Sequence, residues 1–151
     1  MNLADDVAMP FLLMSAFRGL VDAVHLELEG AGYPGIRAGH GFAMQAIGGS
    51  CTSVELGERL GVSKQAATKT ARALEGMGLV SRGQNAHDGR ERLITPTSRG
   101  REMLRLSAAA FKRLVQEWRE RVGDENVDAT LTTLAAASVS SRGQTDLSDW
   151  A

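Results

Sequence analysis

Residues 52–80 read TSVELGERLGVSKQAATKTARALEGMGLV, and their spacing describes two short helices joined by a tight turn. Leu56 and Leu60 lie four apart and face inward. Gly57 leaves room for a second helix to approach closely, Gly61 permits the positive φ that a sharp turn needs, and Val62 plugs the corner. Ser63 is suited to cap the second helix, its hydroxyl accepting from an otherwise unpaired backbone N–H near residue 65 or 66. On that helix Ala67, Thr70, Ala71 and Leu74 line one face, and Lys64, Gln65, Thr68, Lys69 and Arg72 line the other. Three cations and two neutral hydrogen-bonding groups, with no acid before Glu75, make an unusual outward face for a merely solvated helix. Gly78 stands where a left-handed residue ends a helix, and Leu79 after it is placed to contact Leu74.

Downstream, LVSRGQ (79–84) and ERLITP (91–96) are short runs of β-branched or alternating apolar residues, separated by NAHDGR, in which Asp-Gly is a strong hairpin signal. A two-stranded ribbon with a polar, basic tip is expected. Pro96 cannot donate to a ladder, so it closes the second strand before Thr97 or Ser98 starts a long helix.

Upstream, Pro10 fits the first turn of a helix on which Leu13, Phe17, Leu20, Val24 and Leu28 repeat at spacings of three and four, until Gly30, Gly32 and Pro34 end it. A shorter helix from Arg37 to Ile47 is closed by Gly48 and Gly49. Beyond the ribbon, Met103, Leu106, Ala110, Leu114 and Trp118 form one apolar line, with Leu104, Ala108, Phe111, Val115 and Val122 as a second beside it. Gly123 breaks that helix, and Val127, Leu131 and Leu134 give a last one a single stripe. The expected fold is mainly α with a small β-hairpin wing, a winged helix-turn-helix within one domain over 1–151. In it, 10–32 and 98–139 form dimerisation helices, 36–97 the winged helix-turn-helix, and 140–151 a frayed polar tail. A chain this small has little interior in which to hide three long amphipathic terminal helices, so their apolar faces point to a second copy and a tight homodimer.

Composition narrows the function. At 151 residues, 43% hydrophobic and 23% charged, the chain has the size and balance of one globular domain, and 5% aromatics with only three prolines favour helix. The acidic start and an apolar run, Phe11 to Phe17, too short to span a bilayer predict a cytoplasmic protein with no membrane partner. Cys51 is alone and His25, His40 and His87 are scattered, so neither a disulfide, a metal site nor a cofactor is expected. No Ser/His/Asp arrangement, phosphate-binding glycine loop or converging carboxylate pair argues for an enzyme; Glu55 and Glu58 sit beside Arg59 as solvated charges commonly do. The net charge of −1 conceals an uneven distribution. From Arg59 to Arg105 ten Lys and Arg stand against Glu75, Asp88, Glu91 and Glu102, a balance of +6, while the remainder carries seven against fourteen, or −7. A polyanion is the partner that suits the middle alone. A cationic helix after a tight turn, followed by a hairpin carrying Arg82, Arg90 and Arg92, is the geometry for reading double-stranded DNA. The helix suits the major groove and the hairpin a neighbouring minor groove. Two other readings stay open: a winged helix used only for protein contacts, and a redox-responsive regulator using Cys51.

With those residues placed, the chain resembles the MarR family of transcriptional regulators. The similarity is carried by LEGMGLVSRGQNAHDGRERLITPTSRGREML (74–104): Leu-Glu, Gly-Leu-Val, a wing Asp-x-Arg, and a Thr-x-x-Gly after the wing, with Pro96 where the family usually has Leu. The resemblance implies a recognition helix within Ser63–Leu74 and a wing at Asn85–Arg92, with Asp88 orienting Arg90 into a minor groove. It also implies a homodimer on a pseudo-palindromic operator, acting as a repressor. The DNA-binding candidates are Ser63, Lys64, Gln65, Thr68, Lys69, Arg72, Arg82, Asn85, His87, Asp88, Arg90 and Arg92. It further implies release by a small phenolic or anionic effector in a cleft between the dimer helices and the DNA-reading part. Phe17, His40 and Met44 are the candidates for its walls, with core packing as the competing role of each. Oxidant-sensing relatives carry a Cys near the start of the first helix, and this chain has none there.

Overall fold

The computed structural model describes residues 5–84, 89 and 91–140, with side chains described as far as residue 138. After a single 3-10 turn at Asp6–Ala8, α1 (Met9–Gly30) carries Pro10 in its first turn and α2 (Ala38–Ile47) follows a short loop. The pair α3 (Ser53–Leu60) and α4 (Lys64–Gly76) forms the helix-turn-helix. Both end in the same way: Gly61 and Gly78 take φ of +69° and +73°, and the next residue's N–H reaches back to the helix, Val62 to the Gly57 carbonyl and Leu79 to the Leu74 carbonyl, each at 2.9 Å. This closure satisfies carbonyls that a simple helix end leaves unpaired. A Cβ at Gly57 would stand 2.8 Å from the Val62 carbonyl oxygen and 3.4 Å from that of Ser63, so the close approach it permits is to the corner and to the N-cap of the second helix.

The wing strands β2 (Val80–Gln84) and β3 (Arg92–Pro96) pair antiparallel, with Val80 opposite Pro96 and Gln84 opposite Arg92. The sheet has one strand more than the expected ribbon. Cys51 and Thr52 form β1, paired with Ile94 and Leu93, so β3 is central in the order β1-β3-β2. Pro96 lies past the end of β1, where the missing N–H breaks no ladder bond. Thr97 then caps α5 (Ser98–Val122), its hydroxyl accepting from Gly100 N at 3.1 Å and donating to the Gly78 carbonyl at 2.6 Å. After Gly123, α6 (Asp124–Ser140) is the last helix described; the tail expected at 140–151 lies, from residue 141, outside the described residues.

The core lies where these elements meet. Met44 and Ile47 of α2, Leu56 of α3, Leu74 of α4, Leu79, Ile94 of β3 and Met103 of α5 are all fully buried. The terminal helices contribute unequally. Val24 and Leu28 at the end of α1 are in the core, whereas Phe11 at its start is 57% exposed and Leu13 41%. Of the two apolar lines on α5, the one through Met103 and Ala110 is buried inward, and the other leaves Phe111 and Val122 open. On α6 only Val127 is buried among the described residues. The run Phe11–Phe17 is part of a longer helical stretch, Asp6–Gly30, which by length and composition alone is sufficient to cross a membrane.

Candidate nucleic-acid interface

The outward face of α4 is fixed by packing on its other side. Ala67, Ala71 and Leu74 are fully buried, which forces Lys64, Gln65, Lys69 and Arg72 to the surface with Thr68 half-buried between them. Ser63 caps the helix as expected, accepting from Ala66 N at 3.1 Å. Its hydroxyl is thus engaged in holding the first turn. The wing lies alongside, and the two enclose a polar cleft of about 350 Å³ lined by Lys64, Thr68, Arg72, Arg82, Glu91 and Arg92, with Ser53 from the start of α3. The structure therefore brings the recognition-helix candidates together with Arg82 and Arg92 in one concavity. Asn85, His87, Asp88 and Arg90 lie outside the described residues.

Charge counting alone overstated the supply of cations for this face. Arg59 donates to the carbonyls of Ala46 and Ile47 at 2.8 and 3.2 Å, closing the C-terminus of α2. Arg82 is largely buried and bridges to Glu75 at 2.8 Å; this hydrogen bond holds the Glu75 carboxyl below the usual range. Arg99 donates to the Gly32 carbonyl at 2.6 Å and lies 4.3 Å above the Tyr33 ring. Arg101 donates to the Pro96 carbonyl, and Arg105 pairs with Glu102. Half of the ten cations thus serve the fold. Lys64, Lys69, Arg72 and Arg92 hold no ion pair among the described residues, and Lys64, Lys69 and Arg72 are exposed.

Two further residues have roles that spacing did not assign. Glu55 is not a loose surface charge: its carboxylate accepts from Thr52 N at 2.7 Å while the Thr52 hydroxyl accepts from Glu55 N at 3.2 Å. This capping box starts the helix-turn-helix, and Thr-x-x-Glu was its legible signal. Cys51 is 1% exposed in β1, and burial pushes its thiol upward, away from the reactive thiolate.

The effector-site candidates separate. Phe17 lines an apolar cavity of about 170 Å³ between α1, α2 and α5, its ring stacked on Phe42 with centroids 6.1 Å apart and planes 9° apart. Met44 lies instead in the fully buried core beneath Gly100, the competing role that its apolar character allowed. His40 is outside the cavity lining; its Nδ1 accepts from Arg37 N at 3.0 Å, closing the first turn of α2. Burial lowers the pKa of His40, and that of His25, which does line the cavity.

Residues 42–91, from α2 through the wing, match the model of the MarR family. The matched segment is about a third of the chain and falls within its winged helix-turn-helix. No curated protein matches the chain in sequence. Among solved structures, FabT of Streptococcus pneumoniae in complex with DNA is 20% identical with a TM-score of 0.75, over 89% of this chain and 95% of that one. A mutant MarR of E. coli complexed with operator DNA is 22% identical with a TM-score of 0.67, over 91% and 98%. CouR of Rhodococcus jostii bound to p-coumaroyl-CoA is 22% identical with a TM-score of 0.64, over 91% and 94%. At these identities the likeness establishes the winged-helix fold along nearly the whole chain.

Proposed function

We propose that this chain is a MarR-family regulator, a cytoplasmic repressor that binds a pseudo-palindromic operator as a homodimer and is released by a small molecule. The observation that carries the DNA-binding part is the exposed face of α4, where Lys64 and Arg72 join Arg92 of the wing around one polar cleft and Lys69 stands exposed beside it. Lys64, Gln65, Thr68 and Arg72 read base edges or clamp phosphate, while Lys69 and Arg92 position the backbone. A good bidentate base contact contributes about 1–3 kcal/mol of discrimination.

The dimer is supported by apolar side chains that the single chain leaves open at both ends: Phe11, Leu12 and Met14 on α1, Val122 on α5, and Leu131 and Leu134 on α6. A two-fold pair through these helices sets two copies of α4 roughly 34 Å apart, one turn of DNA, so that they enter successive major grooves. Such a complex on a promoter represses by excluding the polymerase. Relief by a factor of a hundred needs about 2.7 kcal/mol of coupling between effector and DNA, and a changed spacing of the two α4 helices supplies it.

Selection of bound duplexes from a random pool tests this reading. The expected product is a site with two-fold symmetry and half-sites about 10 base pairs apart, centre to centre. Recovery of no site, or of one without symmetry, contradicts it.

A further inference from the structure

Three helix ends meet at Arg99. The Thr97 hydroxyl donates to the Gly78 carbonyl and Thr97 N to the Leu79 carbonyl, so the start of α5 is clamped to the exit of α4. The exit of α1 is closed as those of α3 and α4 are: Gly32 takes φ of +91°, and Tyr33 N reaches back to the Leu28 carbonyl at 2.8 Å. Between the exits of α1 and α4 lies a crevice of about 220 Å³, lined by Tyr33, Pro34, Ile36, Met77, Leu79 and Arg99. Arg99 spans it. Its Nη2 donates to the Gly32 carbonyl at 2.6 Å and its Nε to the Met77 carbonyl at 3.4 Å, while the guanidinium stands 4.3 Å from the centroid of the buried Tyr33 ring. Local preference does not account for a cation at this position. Arg99 is in the first turn of α5, where the helix dipole favours an acid, and that turn has none. Nor does Arg99 line the polar cleft between α4 and the wing.

We propose that Arg99 is a positioning residue, which fixes the exit of α4 against the exit of α1 and so sets the separation of the two α4 helices in the dimer. This role rests on the homodimeric regulator reading above. α1 carries Phe11, Leu12 and Met14 of the open apolar surface, and α4 carries the cationic face, so their relative angle relates the dimer contact to the DNA contact. A planar guanidinium with its donors in a rigid fork holds two carbonyls at a set separation, which a flexible or single donor does not. α4 has 13 residues and is about 20 Å long, so a rotation of about 10° at its exit moves its far end by about 3 Å. The two-fold axis applies that shift to both copies. The crevice leaves this side of the joint without packed atoms to take over once the guanidinium is removed.

Arg99→Gln removes the fork and suits the first turn of α5 at least as well as arginine does. Ala73 is exposed on α4, and a spin label on Ala73→Cys reports the distance between the two α4 helices by pulsed electron double resonance; Cys51, 1% exposed, is shielded from the label. The full chain with Ala73→Cys alone is expected to give one narrow distance. Adding Arg99→Gln is expected to broaden that distribution about twofold or to move its centre by about 3 Å, with Tm within a few degrees. Polarisation of a random duplex by unlabelled wild type and Arg99→Gln is expected to show the same salt dependence, because the cationic face of α4 is untouched. An unchanged distance distribution overturns the assignment. So does a collapse in Tm, which makes Arg99 a prop of the fold, or a shallower salt dependence in Arg99→Gln, which makes it a phosphate contact. If copies labelled at position 73 with Arg99 intact show no dipolar coupling, the dimer is lost and the assignment with it. If they couple and Arg99→Gln leaves the coupling unaltered, the assignment alone is lost and the regulator reading stands.

Discussion

The winged-helix body and the terminal helices use apolar residues of the same kinds to opposite ends. Within the body, Leu56, Leu74, Leu79 and Ile94 are fully buried in one shared core, and the helix ends are closed by Gly61, Gly78 and the Thr52–Glu55 box. Along α1, α5 and α6 comparable side chains face outward, from Phe11 to Leu134. The body completes itself, whereas the termini leave apolar surface open. In the proposed dimer a second copy covers it with no new surface chemistry, because a two-fold interface pairs a patch with itself.

The largest expected effect breaks this contrast at the termini. Phe11→Asp with Leu131→Asp places charges on both open faces, and the dimer is expected to weaken at least a thousandfold, about 4 kcal/mol, giving monomers by light scattering at micromolar concentration. The helical content of the body should persist in circular dichroism. A variant that stays dimeric places the interface elsewhere.

Gly100→Ala attacks the body instead. A Cβ at Gly100 overlaps the Leu79 carbonyl oxygen and stands 2.9 Å from Met44 Cε, and that carbonyl is pinned by Thr97 N at 3.0 Å, so the backbone has little freedom to move away. Overpacking of this kind costs about 3 kcal/mol, which lowers Tm by roughly 10 °C in a chain of this size. Unaltered melting would show that the junction between α5 and the start of β2 yields without cost.

Arg90→Ala separates the two regions by function. Operator binding should fall at least tenfold in a gel-shift titration, about 1.4 kcal/mol, with the dimer intact. Unchanged affinity removes the wing from the mechanism.

The smallest effect concerns pH. His40 must be neutral to accept from Arg37 N, and burial, with Arg37 and His25 nearby, lowers its folded pKa. Between that folded value and its ordinary 6.5 the unfolded chain binds the extra proton, so stability falls as pH drops below about 6.5. His40→Gln preserves an acceptor at the same helix position, and its Tm should decline less steeply from pH 7 to 5 than the wild type's. An identical slope in the two proteins refutes the role given to His40.

Where partners are near in the chain, the sequence could be read directly. The corner at Gly61, the Ser63 cap, the Gly78–Leu79 closure and the two faces of α4 all depend on residues within five positions. What escaped reading depends on distance. The strand at Cys51–Thr52 has no periodicity to display in two residues, and its partner is Ile94. Arg59 and Arg99 count only as charge in the basic middle segment until the fold brings the end of α2 to one and Gly32, 67 residues away, to the other. The apolar cavity is built from three separated helices, so no local spacing tells that Phe17 borders it while Met44, equally apolar, belongs to the core.

In the proposed function DNA binding depends on the cationic face of α4, and a salt titration tests that dependence most directly. Polarisation of a labelled random duplex is followed from 50 to 200 mM salt for the wild type and for Lys64→Ala combined with Arg72→Ala. The wild type is expected to bind near 100 mM salt with a steep log–log dependence. The double variant is expected to bind more weakly, with a slope shallower by about 1.8, or about 0.9 for each phosphate that is no longer neutralised. Absence of duplex binding by the wild type at 100 mM salt, or the same affinity and slope in both proteins, contradicts it.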